Sequence, residues 1–142
     1  MTPRYLTSYT TMEILRLNGV DKQLYELVAP LVMDPTVLRQ NNNYPFKTSS
    51  RYVWYVALEE ESVIGFIPLK SKEDGFSIDN YYISGDSAET LEALLHKIQE
   101  DIEPGTTLTA LVHKRHSRVF DKCRFSLWSE LTNYDKRDYT KR

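Results

Sequence analysis

The sequence is poor in several features that would assign it to a special class of protein. Its 142 residues include a single cysteine, Cys123, so no disulfide can form within the chain. No run of apolar residues approaches the roughly 18 that a membrane span needs. The first 19 residues lack the apolar core of a secretion signal. These absences predict a cytoplasmic protein that does not insert into a membrane.

Charge of one sign is also lacking. The 18 basic and 20 acidic residues leave a net charge of -2, whereas nucleic-acid-binding domains carry a strong positive field. The balance argues against nucleic acid as a partner. Hydrophobic residues make up 41% and charged residues 27%, which is typical of a globular domain. Length and composition predict one domain over residues 1–142, with loosely ordered ends at 1–10 and 135–142.

Hydrophobic periodicity predicts alternating strands and helices. Predicted strands cover 11–17, 51–59, 63–69, 76–83, 107–112 and 125–132, and predicted helices cover 21–33, 34–40, 87–102 and 116–123. The helix at 87–102 places Leu91, Leu94, Leu95, Ile98 and Ile102 on one face. Because this helix connects the strand at 76–83 to the strand at 107–112, those two strands are predicted to be parallel.

Two short segments resemble parts of a known family. Tyr81-Tyr82-Ile83 is similar to the Leu-Tyr-Val-like triplet that ends the fourth strand of that family. The stretch from His113 to Phe125 is similar to its Asn-x-x-Ala-x-x-apolar-Tyr-x-Lys-apolar-Gly-Phe segment, with Phe120 in place of the tyrosine. With the order of elements over roughly residues 11–132, these segments resemble the GNAT superfamily of acyl-CoA-dependent N-acetyltransferases.

The resemblance implies a mixed α/β fold, with a central, mostly antiparallel sheet and helices on both faces. It implies transfer of an acyl group, with acetyl-CoA as donor, to an amine of a small molecule or a protein. The main chain of Tyr81, Tyr82 and Ile83 would hold the pantetheine arm of the donor.

The loop that binds the donor's pyrophosphate in this family is altered here. Residues 85–91 lack the paired glycines and the basic residue of the family loop and carry Asp86 and Glu89, with Asp86 as the predicted cap of the following helix. Two carboxylates at this position oppose a phosphate. We therefore expect weak binding of acetyl-CoA, or binding of its phosphates by Lys114, Arg115 or Arg118. The alternative function is a GNAT-fold binding or interaction module without catalysis.

Asp79 is the candidate general base, because the family often draws this group from the same strand. Even spacing predicts that Ser77, Asp79 and Tyr81 share one face. The alternative is an aspartate that faces solvent or stabilises a turn. Lys114, Arg115 and Arg118 likewise have the alternative of a solvated basic face.

Histidines and aromatic residues leave further alternatives. His113 and His116, three residues apart, are either metal ligands or surface or helix-cap residues; no adjacent cysteine or acidic cluster completes a set of ligands, so no metal site is predicted. Tyr44, Tyr52, Trp54 and Tyr55 either line an acceptor cleft or pack on the sheet. Phe120 lacks the hydroxyl that serves as general acid in the family, and Tyr134 and Tyr139 are candidate replacements.

Overall fold

The computed structural model describes residues 12–142, which form one central sheet flanked by helices. The strands are β1 (Met12–Asn18), β2 (Tyr52–Glu59), β3 (Ser62–Lys72), β4 (Gly75–Ile78), β5 (Tyr82–Ile83), β6 (Thr107–His113), β7 (Ser126–Glu130) and β8 (Tyr134–Thr140). The helices are α1 (Lys22–Val32), α2 (Pro35–Gln40), α3 (Ala88–Asp101) and α4 (Ser117–Lys122). The predicted order of elements is confirmed up to β7, whereas the predicted loose end at 1–10 lies outside the described residues.

The sheet has the order β1-β2-β3-β4-β6-β8-β7, and β5 pairs with β3. All neighbouring strands are antiparallel except β4 and β6, which run parallel with Ile78 opposite Ala110 at the end of their pairing. The mostly antiparallel sheet and the parallel pair joined by a helix were both predicted from the sequence and are confirmed.

Helices cover both faces of the sheet. On one face α1 packs through Leu24 and Val28 against a cluster that includes Trp54 and Phe66. On the other face α3 and α4 pack on the larger cluster, which includes Ile67 and Leu108. The predicted fold class is therefore correct. No helix within residues 12–142 is long and apolar enough to cross a bilayer.

Helix α3 buries the predicted apolar face. Leu91, Leu94, Leu95 and Ile98 are fully buried, since their 3.6-residue spacing aligns them against the sheet. The prediction that Asp86 caps this helix is wrong. Ser87 is the N-cap, and its Oγ accepts a hydrogen bond from the Thr90 N–H at 3.2 Å, which leaves Asp86 available for other partners.

The prediction of a loose end at 135–142 is also wrong, because Tyr134–Thr140 forms β8 between β6 and β7. Its inward side chains include Asp135 and Arg137, each 5% exposed. Arg137 Nη1 donates to Asp121 Oδ1 at 2.8 Å and to the Phe125 carbonyl at 2.9 Å. The Ser117 hydroxyl donates to Asp135. Asp135 and Arg137 occupy core-facing positions, where the hydrophobic periodicity of a strand predicts apolar residues. In the sequence alone, the segment therefore resembles a charged, solvent-exposed tail.

A bulge divides the predicted strand 76–83 into β4 and β5. Lys70 pairs with Ser77 and Phe66 pairs with Tyr82, so three residues of β3 (67–69) face four residues (78–81) on the other side. The extra residue reverses the alternation of side chains. Asp79 is therefore exposed on the α1 side of the sheet, while Tyr81 is buried in the cluster under α3. The prediction that Tyr81 shares the face of Ser77 and Asp79 is wrong.

Candidate functional site

A cavity of about 540 Å³ opens on the α1 side of the sheet, beside the bulge. The loop that follows α2 forms one wall, and residues of β2, β3 and β6 form the floor. The lining residues are Tyr44, Pro45, Lys47, Tyr52, Pro68, Lys70, Asp79, Asn80 and Leu111. A smaller recess of about 270 Å³ shares Asp79 and Leu111 with it and extends toward Trp128 and Lys136. Asp79 therefore lies where the two spaces meet.

The carboxylate of Asp79 is exposed and has one close polar neighbour. The buried Ser77 hydroxyl donates to Asp79 Oδ2 at 3.3 Å. The pKa of the Tyr52 phenol is raised, first by burial and then by the negative charge of Asp79. An ionised carboxylate at a cavity mouth has free lone pairs that can accept a proton from a bound molecule.

The loop between α2 and β2 is anchored on the sheet by polar side chains. Asn80, within the bulge, donates its amide N–H to the carbonyl of Pro45 at 3.1 Å. Asn41 is buried and donates to the Tyr44 carbonyl at 3.1 Å. Indole Nε1 of Trp54 donates to the Thr48 hydroxyl at 3.0 Å. The cavity wall is therefore fixed by specific hydrogen bonds to the sheet.

Strands β5 and β6 diverge beyond the Ile78–Ala110 pair. Tyr82 and Ile83 pair with β3, and no strand pairing joins them to β6 in the described part of the chain. The phenol of Tyr81 bridges the gap instead, because its oxygen accepts a hydrogen bond from the backbone N–H of His113 at 3.1 Å. Tyr81 is 2% exposed. A splayed pair of strands is present, and the Tyr81 side chain bridges it at the end of β6.

A hydrogen-bonded chain extends from this phenol to the surface. Tyr81 Oη lies 2.8 Å from His116 Nδ1, and His116 Nε2 lies 2.7 Å from Asp86 Oδ1. The carboxylate can only accept, so Nε2 of His116 carries the proton and Nδ1 accepts from the Tyr81 hydroxyl. Arg115 Nε also donates to Asp86 Oδ1 at 3.0 Å. Arg115 further donates to the Gln40 carbonyl at 2.8 Å, which connects the network to α2.

The electrostatics of this network favour neutral histidines. Burial is the main cause that lowers the pKa of His116, and the hydrogen bond to Asp86 opposes it. Burial, reinforced by the charge of Arg115, lowers the pKa of His113 to about 4. The pKa of Asp86 is lowered as well: burial works against this, but the hydrogen bonds from Arg115 and His116 outweigh it. The network therefore contains one carboxylate, one guanidinium and two neutral imidazoles at neutral pH.

The three cations predicted to bind phosphate differ in their surroundings. Lys114 Nζ lies 3.3 Å from Asp135 and 3.5 Å from Glu130, and Arg115 pairs with Asp86. Arg118 is exposed and forms no ion pair within residues 12–142. Of these three residues, only Arg118 thus has no carboxylate partner within residues 12–142. The Arg115 guanidinium is occupied by Asp86 and is therefore not available to an external anion.

The histidines do not assemble into a metal site with each other. Their rings lie 5.8 Å apart, and His113 Nε2 is hydrogen-bonded to Asn41 Oδ1 at 3.0 Å. In the described chain a different group, Glu92, His96 and Cys123, brings donor atoms within 4.8 Å of one another. Lys122 already pairs with Glu92 at 3.1 Å, and burial raises the pKa of the Cys123 thiol to about 11. A cation there must displace both an ion pair and a proton.

The aromatic candidates divide between cleft and core. Tyr44 and Tyr52 line the cavity, whereas Trp54 and Tyr55 are buried in the two core clusters. Phe120 is fully buried, with its ring centre 5.9 Å from that of Tyr81.

The candidate phenols lie outside the cavity that holds Asp79. Tyr134 stacks on His113 with ring centres 5.0 Å apart and accepts a hydrogen bond from Asn42, and Tyr139 packs on Phe125. The hydroxyl nearest the splay is therefore that of Tyr81, which the sequence did not indicate because its partners lie more than 30 residues away.

Several solved structures share this fold. Escherichia coli ElaA superposes with a TM-score of 0.71 at 10% identity, over 89% of this chain and 98% of that protein. An acyl-CoA N-acyltransferase from Pseudomonas aeruginosa gives 0.67 at 12% identity, over 90% and 99%. Campylobacter jejuni N-acetyltransferase PseH, in complex with acetyl coenzyme A, gives 0.57 at 14% identity, over 92% and 99%. No family model and no curated sequence matches the chain. At these identities the likeness establishes the GNAT fold.

Proposed function

We propose that this protein is an acyl-CoA-dependent N-acyltransferase that transfers an acyl group, such as acetyl, to the amine of a small molecule or protein. One observation carries the proposal: the splay between β5 and β6 begins next to an exposed carboxylate, Asp79, that faces an open cavity. The splay would give the thioester of an acyl-CoA a path between two strands once the Tyr81 phenol no longer bridges it, and the cavity would give an amine a path to it from the other side.

Asp79 accepts the proton of the attacking amine, directly or through a water molecule. The acyl-CoA supplies a thioester, so formation of the C–N bond breaks the C–S bond and the sulfur leaves as a thiolate that takes up a proton. Phe120 has no hydroxyl to donate that proton. The Tyr81 hydroxyl already donates to His116, and the thiolate is therefore protonated from water in this scheme.

The donor would be held by the chain on two sides. Main-chain groups of Tyr81, Tyr82 and Ile83 border the splay on one edge, and these are the groups that the family resemblance implies for binding the pantetheine arm. On the other side, Arg118 lies in α4, and Lys114 and Arg115 lie just before that helix. Arg115 would have to leave Asp86 to bind a phosphate. Coenzyme A is bound in the structure of E. coli YhhK, a putative N-acetyltransferase of the same fold at 10% identity, which supports a donor of this type.

The experiment is a titration of the full chain with acetyl-CoA by calorimetry, followed by release of free CoA thiol with a panel of amines. Saturable binding and amine-dependent thiol release are expected, with release lost in Asp79→Asn while binding remains. Binding of acetyl-CoA without release of CoA thiol in the presence of any amine would support a binding site for the donor but contradict the transfer reaction.

A second function, a binding module without acyl transfer, is favoured by one specific observation. The phenol of Tyr81 bridges the splay by accepting a hydrogen bond from the His113 N–H. A chain that does not bind acetyl-CoA at millimolar concentration, even at low salt, would favour this function.

A further inference from the structure

We infer that the acceptor of the proposed transfer is a small amine that also carries an anionic group, either a carboxylate or a phosphate. The inference rests on the proposed function and concerns the side of the sheet opposite to the donor. It is drawn from the charges that surround Asp79.

Most of the charged residues that line the two adjoining spaces are lysines. Lys47 and Lys70 line the larger cavity, and Lys72 and Lys136 line the recess. Asp79 is the only carboxylate that lines either space within the described chain. This excess of cations contrasts with the net charge of -2 of the whole chain.

These lysines have no internal counterions. Within residues 12–142, none of Lys47, Lys70, Lys72 and Lys136 forms an ion pair. Lys136 lies over the ring of the exposed Trp128, with its Nζ 5.3 Å from the ring centre. Arg137, which also borders the recess, differs because its Nη1 donates to Asp121 and to the Phe125 carbonyl.

Strand register places these charges on one face. Tyr52 pairs with Lys70, Lys70 pairs with Ser77, and Ser77 pairs with Thr109, so these side chains form a row across the sheet. Leu111 and Lys136 form a parallel row. Asp138 is opposite Thr109 on the same face but does not line either space. Among the residues that line the two spaces, Asp79 is therefore the one negative charge that an anion bound there would meet.

This arrangement selects by charge at two points. A protonated amine is attracted to Asp79, the group that accepts its proton in the proposed reaction. An anionic group on the same molecule then finds Lys70 and Lys47 in the larger cavity, or Lys72 and Lys136 in the recess. Opposite charges a few ångströms apart attract strongly where water is partly excluded. A neutral or purely cationic amine leaves the lysines unpaired.

The test measures binding of matched amines to the full chain without any acyl donor. The probes are O-phosphoethanolamine against ethanolamine, and β-alanine against β-alaninamide, each titrated by NMR at low salt. At least one anionic member is expected to bind about tenfold more tightly than its neutral partner. The difference should shrink as salt is added, because salt screens it. The pair with the larger difference identifies the anion.

Variants locate the anion. Lys70→Gln, if the anion binds in the larger cavity, or Lys136→Gln, if it binds in the recess, should weaken binding of the anionic probe by about tenfold and leave binding of the neutral partner unchanged. Lys22→Gln, which removes an exposed lysine on α1 outside both spaces, should change neither. Equal binding of charged and neutral partners by the unmodified chain, or effects of Lys70→Gln and Lys136→Gln that are both no larger than that of Lys22→Gln, would overturn the inference.

The measurement is independent of turnover. Anion-selective binding without acyl transfer would support the anion site and contradict the proposed acyltransferase activity. Acyl transfer to amines without preference for anionic ones would keep the enzyme and remove the selectivity.

Discussion

The phenol oxygen of Tyr81 lies 2.8 Å from Nδ1 of His116, and the same oxygen accepts the backbone N–H of His113. One side chain from the bulge thus satisfies two polar groups on and after β6, where the strands no longer pair.

Tyr81→Phe removes both hydrogen bonds and leaves the buried N–H of His113 without a partner. We expect a loss of about 1–3 kcal/mol in the free energy of unfolding, measured with urea. Tyr44→Phe, at an exposed position, is the control and should be near neutral.

Neutralisation of Asp86 and Glu89 should tighten binding of acetyl-CoA. The double variant Asp86→Asn/Glu89→Gln removes two negative charges at the start of α3 and releases Arg115. We expect about tenfold tighter binding by calorimetry at low salt and a smaller gain at high salt. Glu100→Gln/Glu103→Gln removes the same charge at the other end of the helix and should have little effect. Tight binding by the unmodified chain, with no gain in the double variant, would falsify the assignment of this loop.

His113 should make the fold sensitive to mild acid. Its pKa is lowered to about 4, chiefly by burial, from an ordinary value near 6.5. The unfolded chain therefore binds a proton at this residue below pH 6.5 that the folded chain does not. Stability is full above pH 6.5 and falls as the pH drops toward 4, by up to about 3 kcal/mol. The loss should be smaller in His113→Gln.

The exposed His96 provides the control for this measurement. His96→Gln should keep the pH dependence of the unmodified protein in urea unfolding at a series of pH values. If His113→Gln and the unmodified protein lose stability in parallel, His113 does not titrate as its burial indicates.

Asp79→Asn tests the general base. The amide cannot accept the proton of the amine, so turnover should fall by about 100-fold or more. Stability should change little because the side chain is exposed. Asp138→Asn alters an aspartate on the same sheet face outside the cavity and should retain activity. An unchanged rate in Asp79→Asn would assign Asp79 to a structural role.

Leu94→Ala tests the buried face of α3. Leu94 is 0% exposed, and its truncation should lower the free energy of unfolding by about 2–5 kcal/mol. Met33→Ala, at a position 77% exposed, should cost little by the same denaturant measurement. A near-zero value for Leu94→Ala would contradict the packing of α3 on the sheet.

Local patterns predicted the elements whose burial is apolar and periodic. Leu91 to Ile98 and the strands β2 and β3 carry that signal in neighbouring residues. Strand β8 does not, because its inward Asp135 and Arg137 are stabilised by Ser117, Lys114 and Asp121 rather than by apolar contacts. Sequence analysis assigns a charged residue to the protein surface unless its bonding partners are known.

The candidate site was predictable only in part. Asp79, Tyr44 and Tyr52 line one cavity, and the role of Asp79 as general base stays a prediction. The bulge that separates Asp79 from Tyr81 has no signature in the sequence, since no glycine or proline marks it. The partners of Asp86 lie about 30 residues away, so a helix cap was the natural local assignment.

The insertion of β8 between β6 and β7 has a consequence for biosynthesis. Strand β7 leaves the ribosome before β8, yet within residues 12–142 it pairs with β8 alone, so it has no strand neighbour from that part of the chain until residues 134–140 emerge. During that interval β6 also exposes the edge that β8 will cover. Two open edges on a nascent chain are sites where other strands can pair wrongly. The seven-residue strand β8 therefore covers both edges, and a chain in which β8 has not yet formed would present two unpaired edges that favour aggregation.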